Sequence, residues 1–230
     1  MRVPWSAVLV HVFTGLGVVC ALLATRAALA GAWEEVFFWL GVALAIDGVD
    51  GTFARLVEVS SRLPRFSGER LDLVIDYITY VFVPARALLQ AGYLPGGFGV
   101  VLASLNLMSS LFHFADTESK TDDHCFVGFP AIWNVVAFYI FAFQLSAGAS
   151  AVLVLACVAL TFVPLRWGHP MRTPFLKPLT LTLSALWMIA AGATLWSGFP
   201  AGFYAKAVLA VVAVYGVGIT LARGLVRREE

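Results

Sequence analysis

Charge is scarce in this sequence. Asp, Glu, Lys and Arg together make up 13% of the residues, while 60% are hydrophobic. A water-soluble domain carries roughly twice that charge. With a mean hydropathy of +0.88, there is too little polar surface for an ordinary soluble fold. The net charge of +1 gives no polyelectrolyte face, so no nucleic-acid partner is expected. Cysteine is rare as well. Cys20, Cys125 and Cys157 are scattered without metal-ligand spacing, which excludes a disulfide framework. No internal repeat, low-complexity tract or soluble module interrupts residues 1–230, so a single integral membrane domain is expected.

What the chain has instead is long apolar runs. Several approach the roughly 20 residues that a spanning helix needs. They predict an all-α, polytopic membrane bundle of about eight transmembrane helices: 5–27, 33–57, 70–93, 97–115, 128–146, 148–166, 176–197 and 202–224. The first run lacks a small-residue cleavage site and is expected to stay as a helix. The connecting loops alternate in chemistry. One set is basic, with Arg2, then Arg62, Arg65 and Arg70, then Lys120, then Arg166, Arg172 and Lys177, then Arg223, Arg227 and Arg228. The other set, AGYLPGGFG, LSAGAS and WSGFPAG, carries no charge. The loop with Arg26, Glu34 and Glu35 is mixed. Basic loops stay in the cytoplasm, so both termini are expected there, in agreement with an even number of spans.

The acids fall at one place in this pattern. Asp47 and Asp50 are three apart and share a helix face; Asp72 and Asp76 are four apart and do the same on the next helix. The loop between them is basic, so all four lie at the cytoplasmic ends of two adjacent antiparallel helices. Four carboxylates in one partly dry space repel unless cations sit among them. Arg55 could supply one charge. Oxygen-only ligands suit Mg²⁺ or Mn²⁺, and two divalent ions would clamp a phosphate or pyrophosphate. No His or Cys accompanies the group, which argues against zinc. Gly51 and Ala54 beside the acids, and Gly68 four before Asp72, leave room for a ligand against the backbone.

Other readings compete. Acids near a span end can reach water, as expected for Glu58 and Glu69. They can form structural ion pairs with Arg55, Arg65 and Arg70. They can line an ion path in a transporter, although a transporter would place polar groups at mid-depth in several helices.

Asp47-x-x-Asp50-Gly51-x-x-Ala54-Arg55 followed by Gly68-x-x-x-Asp72-x-x-x-Asp76 resembles the signature of the CDP-alcohol phosphotransferases. The twelve residues between Arg55 and Gly68 form a longer spacer than most members have. That spacer, with LPRFSGERLDLVIDYITYVFVPA, HFADTESKTDDHCFVGFPAIWN and FVPLRWGHPMRTP, is similar to the bacterial branch that makes phosphatidylcholine. The resemblance spans about residues 40 to 175. It implies an enzyme in the cytoplasmic membrane, with its active site facing the cytoplasm. Choline's hydroxyl would attack the lipid-bearing phosphate of CDP-diacylglycerol, releasing CMP. It also implies Mn²⁺ (or Mg²⁺), as two ions, held by Asp47, Asp50 and Asp72. Asp76 would be the general base and a further ligand, and Gly51, Ala54, Arg55 and Gly68 would line the CDP site. Family members are often homodimers.

The acceptor pocket is less legible. A quaternary ammonium is held by aromatic faces, and Tyr80, Tyr77, Trp133 and Asn134 are the candidates, Tyr80 foremost because it is four after Asp76. Each is equally a packing residue. Serine, inositol and glycerol phosphate are the alternative acceptors. A phosphorylated one would demand basic residues near Asp76, where none occurs before Arg86. His113 and Asp116 would orient the acceptor or cap a helix. Asp116, Glu118, Asp122 and Asp123 form an acidic loop around Lys120. His11 is expected to be a satisfied core histidine. Arg86 is expected to meet a helix-end carbonyl or a headgroup, and Arg166, His169 and Arg172 to form a basic patch.

Overall fold

The structure, a computed structural model, describes residues 4–121, 125–168, 173 and 175–226. Arg2, Asp122, Asp123, His169, Arg172, Arg227 and Arg228 lie outside the described residues. The chain is a helical bundle. Its helices are α1 (Trp5–Ala30), α2 (Trp33–Leu56), α3 (Val59–Arg62), α4 (Gly68–Asp76), α5 (Val83–Gln90), α6 (Gly96–Ala115), α7 (Trp133–Phe143), α8 (Ala147–Thr161), α9 (Lys177–Ser197) and α10 (Phe203–Val226). A π-helical stretch, Tyr77–Phe82, joins α4 to α5 without a break.

Local chemistry sets these boundaries. Gly31 ends α1 in the left-handed region at φ 72°, and its N–H closes on the carbonyls of Ala27 and Ala28. Ser67 starts α4 by accepting the Arg70 N–H at 3.2 Å. Pro84 offers no N–H to the turn before it, and the helix widens into its π-turns just ahead of that residue.

Five helices are long and apolar enough to cross a membrane: α1, α2, α6, α9 and α10. Their outer surfaces suit lipid, with Leu22 and Ile189 more than half exposed and Trp196 94% exposed. The expected spans 128–146 and 148–166 are shorter than the sequence suggested. α7 has 11 residues and α8 has 15, below the span length for straight crossing. Residues 128–132 are irregular, with positive φ at Gly128 and Ala131. A two-stranded antiparallel sheet, β1 (Cys125–Val127) with β2 (Arg166–Gly168), ties the ends of these segments together. Gly128 is required there, because a Cβ would lie 2.2 Å from the Thr161 carbonyl oxygen.

The core runs through α1, α2, the α4–α5 rod, α6 and α7, with Trp133, Phe141, Leu88, Leu102 and Ile140 enclosed. Phe37, Phe138, Phe141 and Phe199 pack edge-on, with the Phe141–Phe199 pair tilted, and the contacting centroids lie 5.1–5.7 Å apart. Phe37 lies about 15 Å along α2 from Asp47, so the aromatic core and the acids occupy opposite ends. At the acidic end α1 meets α4 closely. A Cβ on Gly17 would lie 2.5 Å from Ile75 Cγ2. This contact seats α4, and with it Asp72, against α1 and α2.

Candidate metal and nucleotide site

Three of the four aspartates converge as the sequence predicted. Asp47, Asp50 and Asp72 each present a carboxylate oxygen, and these oxygens all lie within 4.8 Å of one another. Asp50 is buried, and Asp47 and Asp72 are half-buried. Such a spacing allows one cation to touch all three, and the all-oxygen donor set fits a hard divalent ion. Asp76 stands one turn deeper than Asp72, close enough for Asp47, Asp50 and Asp72 to act on it electrostatically. Its Oδ1 is buried without a hydrogen-bond partner. A buried, unsatisfied carboxylate oxygen on a residue that three further carboxylates act on is costly, and together with the three converging oxygens the residues present fit a metal site.

The ion-pair reading is not met. Among the described residues the ion pair within 4.0 Å is Arg26–Glu35, at 3.7 Å and remote from the acids. Arg55 instead donates to the Thr52 hydroxyl at 3.0 Å. Lys120, in the loop after α6, lies near enough to act on Asp72 and Asp76, a position that sequence spacing did not reveal.

A groove of about 800 Å³ opens beside the acids. Gly51, Ala54, Arg55 and Gly68 all line it, together with Asp50 and Asp72. Gly51 has protein space to spare: a Cβ there would meet only Arg55 Nη1, at an ordinary 3.5 Å. The bare backbone at Gly51 is therefore not a packing requirement, and it leaves room for a ligand. Ala54 packs on Ala7, Val10 and Val59 beneath the groove. The long spacer supplies much of the wall, through Glu58, Ser60, Pro64 and Phe66. α3 within it is anchored to α1 by Arg62, which donates to the Ser6 hydroxyl at 3.5 Å. Two wall residues, His11 and Thr14 of α1, were not read as site residues. Their signal is a three-residue spacing of polar groups in an otherwise apolar helix.

The acceptor candidates do not line this groove. Tyr80 donates its hydroxyl to Asp47 Oδ2 at 2.5 Å, which fixes that carboxylate's orientation. Tyr77 donates to the Leu107 carbonyl at 2.9 Å and packs edge-on against Phe114. Trp133 is enclosed, with its indole N–H on the Ser110 hydroxyl at 2.7 Å. Asn134 is buried and accepts the Val135 N–H at 2.9 Å. Asp116 accepts the Glu118 N–H at 2.9 Å, capping the turn after α6. Arg86 donates to the Gln90 side chain at 2.7 Å, a partner on its own helix where a carbonyl or headgroup was expected.

The Tyr80–Asp47 bond carries a prediction. Groups that orient a metal ligand are worth about 10–100-fold in metal affinity or activity. Tyr80→Phe should therefore weaken the binding of a divalent ion at the three carboxylates by about that factor, read by calorimetric titration of the purified protein. Unchanged ion binding would make the Tyr80–Asp47 bond a packing contact only.

No family model matches the chain. Curated relatives do. The chain is 40% identical over 206 residues to the phosphatidylcholine synthase of Mesorhizobium japonicum, covering 88% of this chain and 77% of the relative. It is 42% identical over 210 residues to that of Bradyrhizobium diazoefficiens, covering 91% and 79%. To that of Pseudomonas aeruginosa it is 43% identical over 183 residues, covering 80% and 77%. With the acids converged beside a groove and these likenesses running through most of its length, the chain belongs to the phosphatidylcholine synthase family.

Proposed function

We propose that this membrane protein transfers the phosphatidyl group of CDP-diacylglycerol to the hydroxyl of choline, releasing CMP. The observation that carries the reading is the convergence of Asp47, Asp50 and Asp72 within 4.8 Å at one end of the groove lined by Gly51, Ala54, Arg55 and Gly68. The relatives' name points to the same product. The carboxylates would hold Mn²⁺ or Mg²⁺, as two ions. Such ions, when bound, neutralise the pyrophosphate and the leaving phosphate.

The protein's own groups do the rest. The groove takes the water-soluble nucleotide, and the apolar outer helix faces take the diacylglycerol tails. Arg55 meets a phosphate oxygen. Asp76, one turn deeper and with a free carboxylate oxygen, accepts the proton of the choline hydroxyl as its oxygen attacks. A bond forms between that oxygen and the lipid-bearing phosphorus. The bond from that phosphorus to the CMP oxygen breaks, and CMP leaves. The site faces the cytoplasm of a bacterial inner membrane, where the nucleotide is supplied, and two copies of the chain form a homodimer.

The test is an assay of purified protein with CDP-diacylglycerol, Mn²⁺ and labelled choline, serine, inositol or glycerol phosphate. Labelled lipid should form with choline. Product from another acceptor and none from choline would overturn the acceptor assignment, and no lipid from any of them would overturn the reaction.

A further inference from the structure

His11 is a costly residue where it stands. It sits in α1, a helix of lipid-compatible sequence, and its Nε2 is buried without a hydrogen-bond partner. A satisfied core histidine was expected. An imidazole nitrogen stripped of water and given no protein partner loses free energy in the free protein. That nitrogen belongs to a residue of the groove wall, which also contains Thr14, Asp50, Gly68 and Asp72.

The position along the groove is informative. His11 precedes Thr14 by three residues on one face of α1, about 4.5 Å along the axis. Asp50 interacts with Thr14, so Thr14 marks the acidic end. His11 lies one turn outward, towards Ser6 and the Arg62 that binds it. Two neighbours shape the space around the imidazole. Gly68 has no side chain, and a Cβ there would press to 3.3 Å from His11 Cε1. The Phe66 ring, 60% exposed, lies 6.5 Å from the imidazole centroid at 58°. It forms an aromatic surface in the same wall.

We propose that His11 is a donor-binding residue: its Nε2 hydrogen-bonds the nucleoside end of the CDP group, with Phe66 flanking the base. This rests on the reading of the groove as a nucleotide site. If the phosphates lie over the three carboxylates, the nucleoside extends away from them along the groove. One turn out, the wall offers a hydrogen-bonding nitrogen and an aromatic face. Those are the groups that bind a base or ribose, and neither is a phosphate ligand of the metal cluster.

The experiment measures binding of CMP and of inorganic pyrophosphate, each with Mn²⁺, to the purified full-length protein by calorimetry. Wild type binds both. His11→Ala should weaken CMP about tenfold, the scale of one lost hydrogen bond, and leave pyrophosphate unchanged. The amide nitrogen of Gln reaches where Nε2 stands, whereas that of Asn stops near Nδ1. His11→Gln should therefore bind CMP within about threefold of wild type, and His11→Asn should behave as His11→Ala. Equal CMP binding by wild type and His11→Ala would overturn the proposal, as would an equal loss of pyrophosphate, which marks a damaged fold. A wild-type protein that binds no CMP would instead remove the nucleotide reading on which the proposal rests.

Discussion

Asp76→Asn is expected to lower turnover by about 10²–10⁴-fold while leaving CMP binding and Mn²⁺ affinity within a few-fold of wild type. The size follows from the step removed. An alcohol is a weak nucleophile at neutral pH, and a positioned base that takes its proton in the transition state contributes on that order. The site follows from the geometry. Asp76 is separate from the three oxygens that lie within 4.8 Å of one another, yet it is close enough for all three carboxylates to act on it. Its Oδ1 has no partner, so it can receive a proton without breaking a bond inside the protein. Asn keeps the shape and one oxygen and loses the basicity. The measurement is single-turnover product formation alongside calorimetric titrations with CMP and Mn²⁺. Unchanged turnover removes Asp76 from the base role. A collapse of Mn²⁺ affinity together with turnover makes it a metal ligand first.

The placement of Asp76 was legible in the sequence because helix periodicity is rigid over one or two turns. Three- and four-residue spacings put Asp47 with Asp50, and Asp72 with Asp76, on single faces, and a charge-alternating loop pattern brought the two faces to one end. Gly51, Ala54, Arg55 and Gly68 were named for the CDP site by the resemblance to the family signature, and all four line the groove. Helix periodicity reached less far where the backbone leaves the regular helix. Tyr80 was placed on the face of Asp76 by a count of four, and Asp76 does lie near enough to act on its hydroxyl, but the count did not show that this hydroxyl, on the π-helical stretch 77–82, bonds Asp47. The three-residue strands β1 and β2 pair across nearly forty residues of sequence and are too short for an alternating pattern to register. The lengths of α7 and α8 were overestimated because apolar residues continue into irregular backbone on one side of each. His11 was misread for a different reason: whether a polar side chain in an apolar helix finds a partner depends on the neighbouring helices, and no spacing along α1 carries that information.

Chelation of divalent ions should abolish turnover, Mn²⁺ should restore it, and Asp72→Asn should lose about 10³-fold or more even in saturating Mn²⁺, since metal stabilisation of transition-state charge is worth several kcal/mol. Activity alone would not separate a ligand from a structural acid, and stability does. In the absence of metal, Asp47, Asp50 and Asp72 crowd like charges into one space, and among the described residues no ion pair relieves them. Removing one of those charges lessens the repulsion. Asp72→Asn should therefore melt above wild type in chelator. Ligand binding to the folded state raises stability in proportion to its affinity, so in Mn²⁺ the order should reverse, with wild type gaining several degrees and the variant gaining little. Thermal unfolding in detergent with and without Mn²⁺ reads both signs. A variant that melts below wild type in both conditions would make Asp72 a packing residue. One that gains as much from Mn²⁺ as wild type would place the ion elsewhere, and the catalytic role of the three-carboxylate cluster would fall with it.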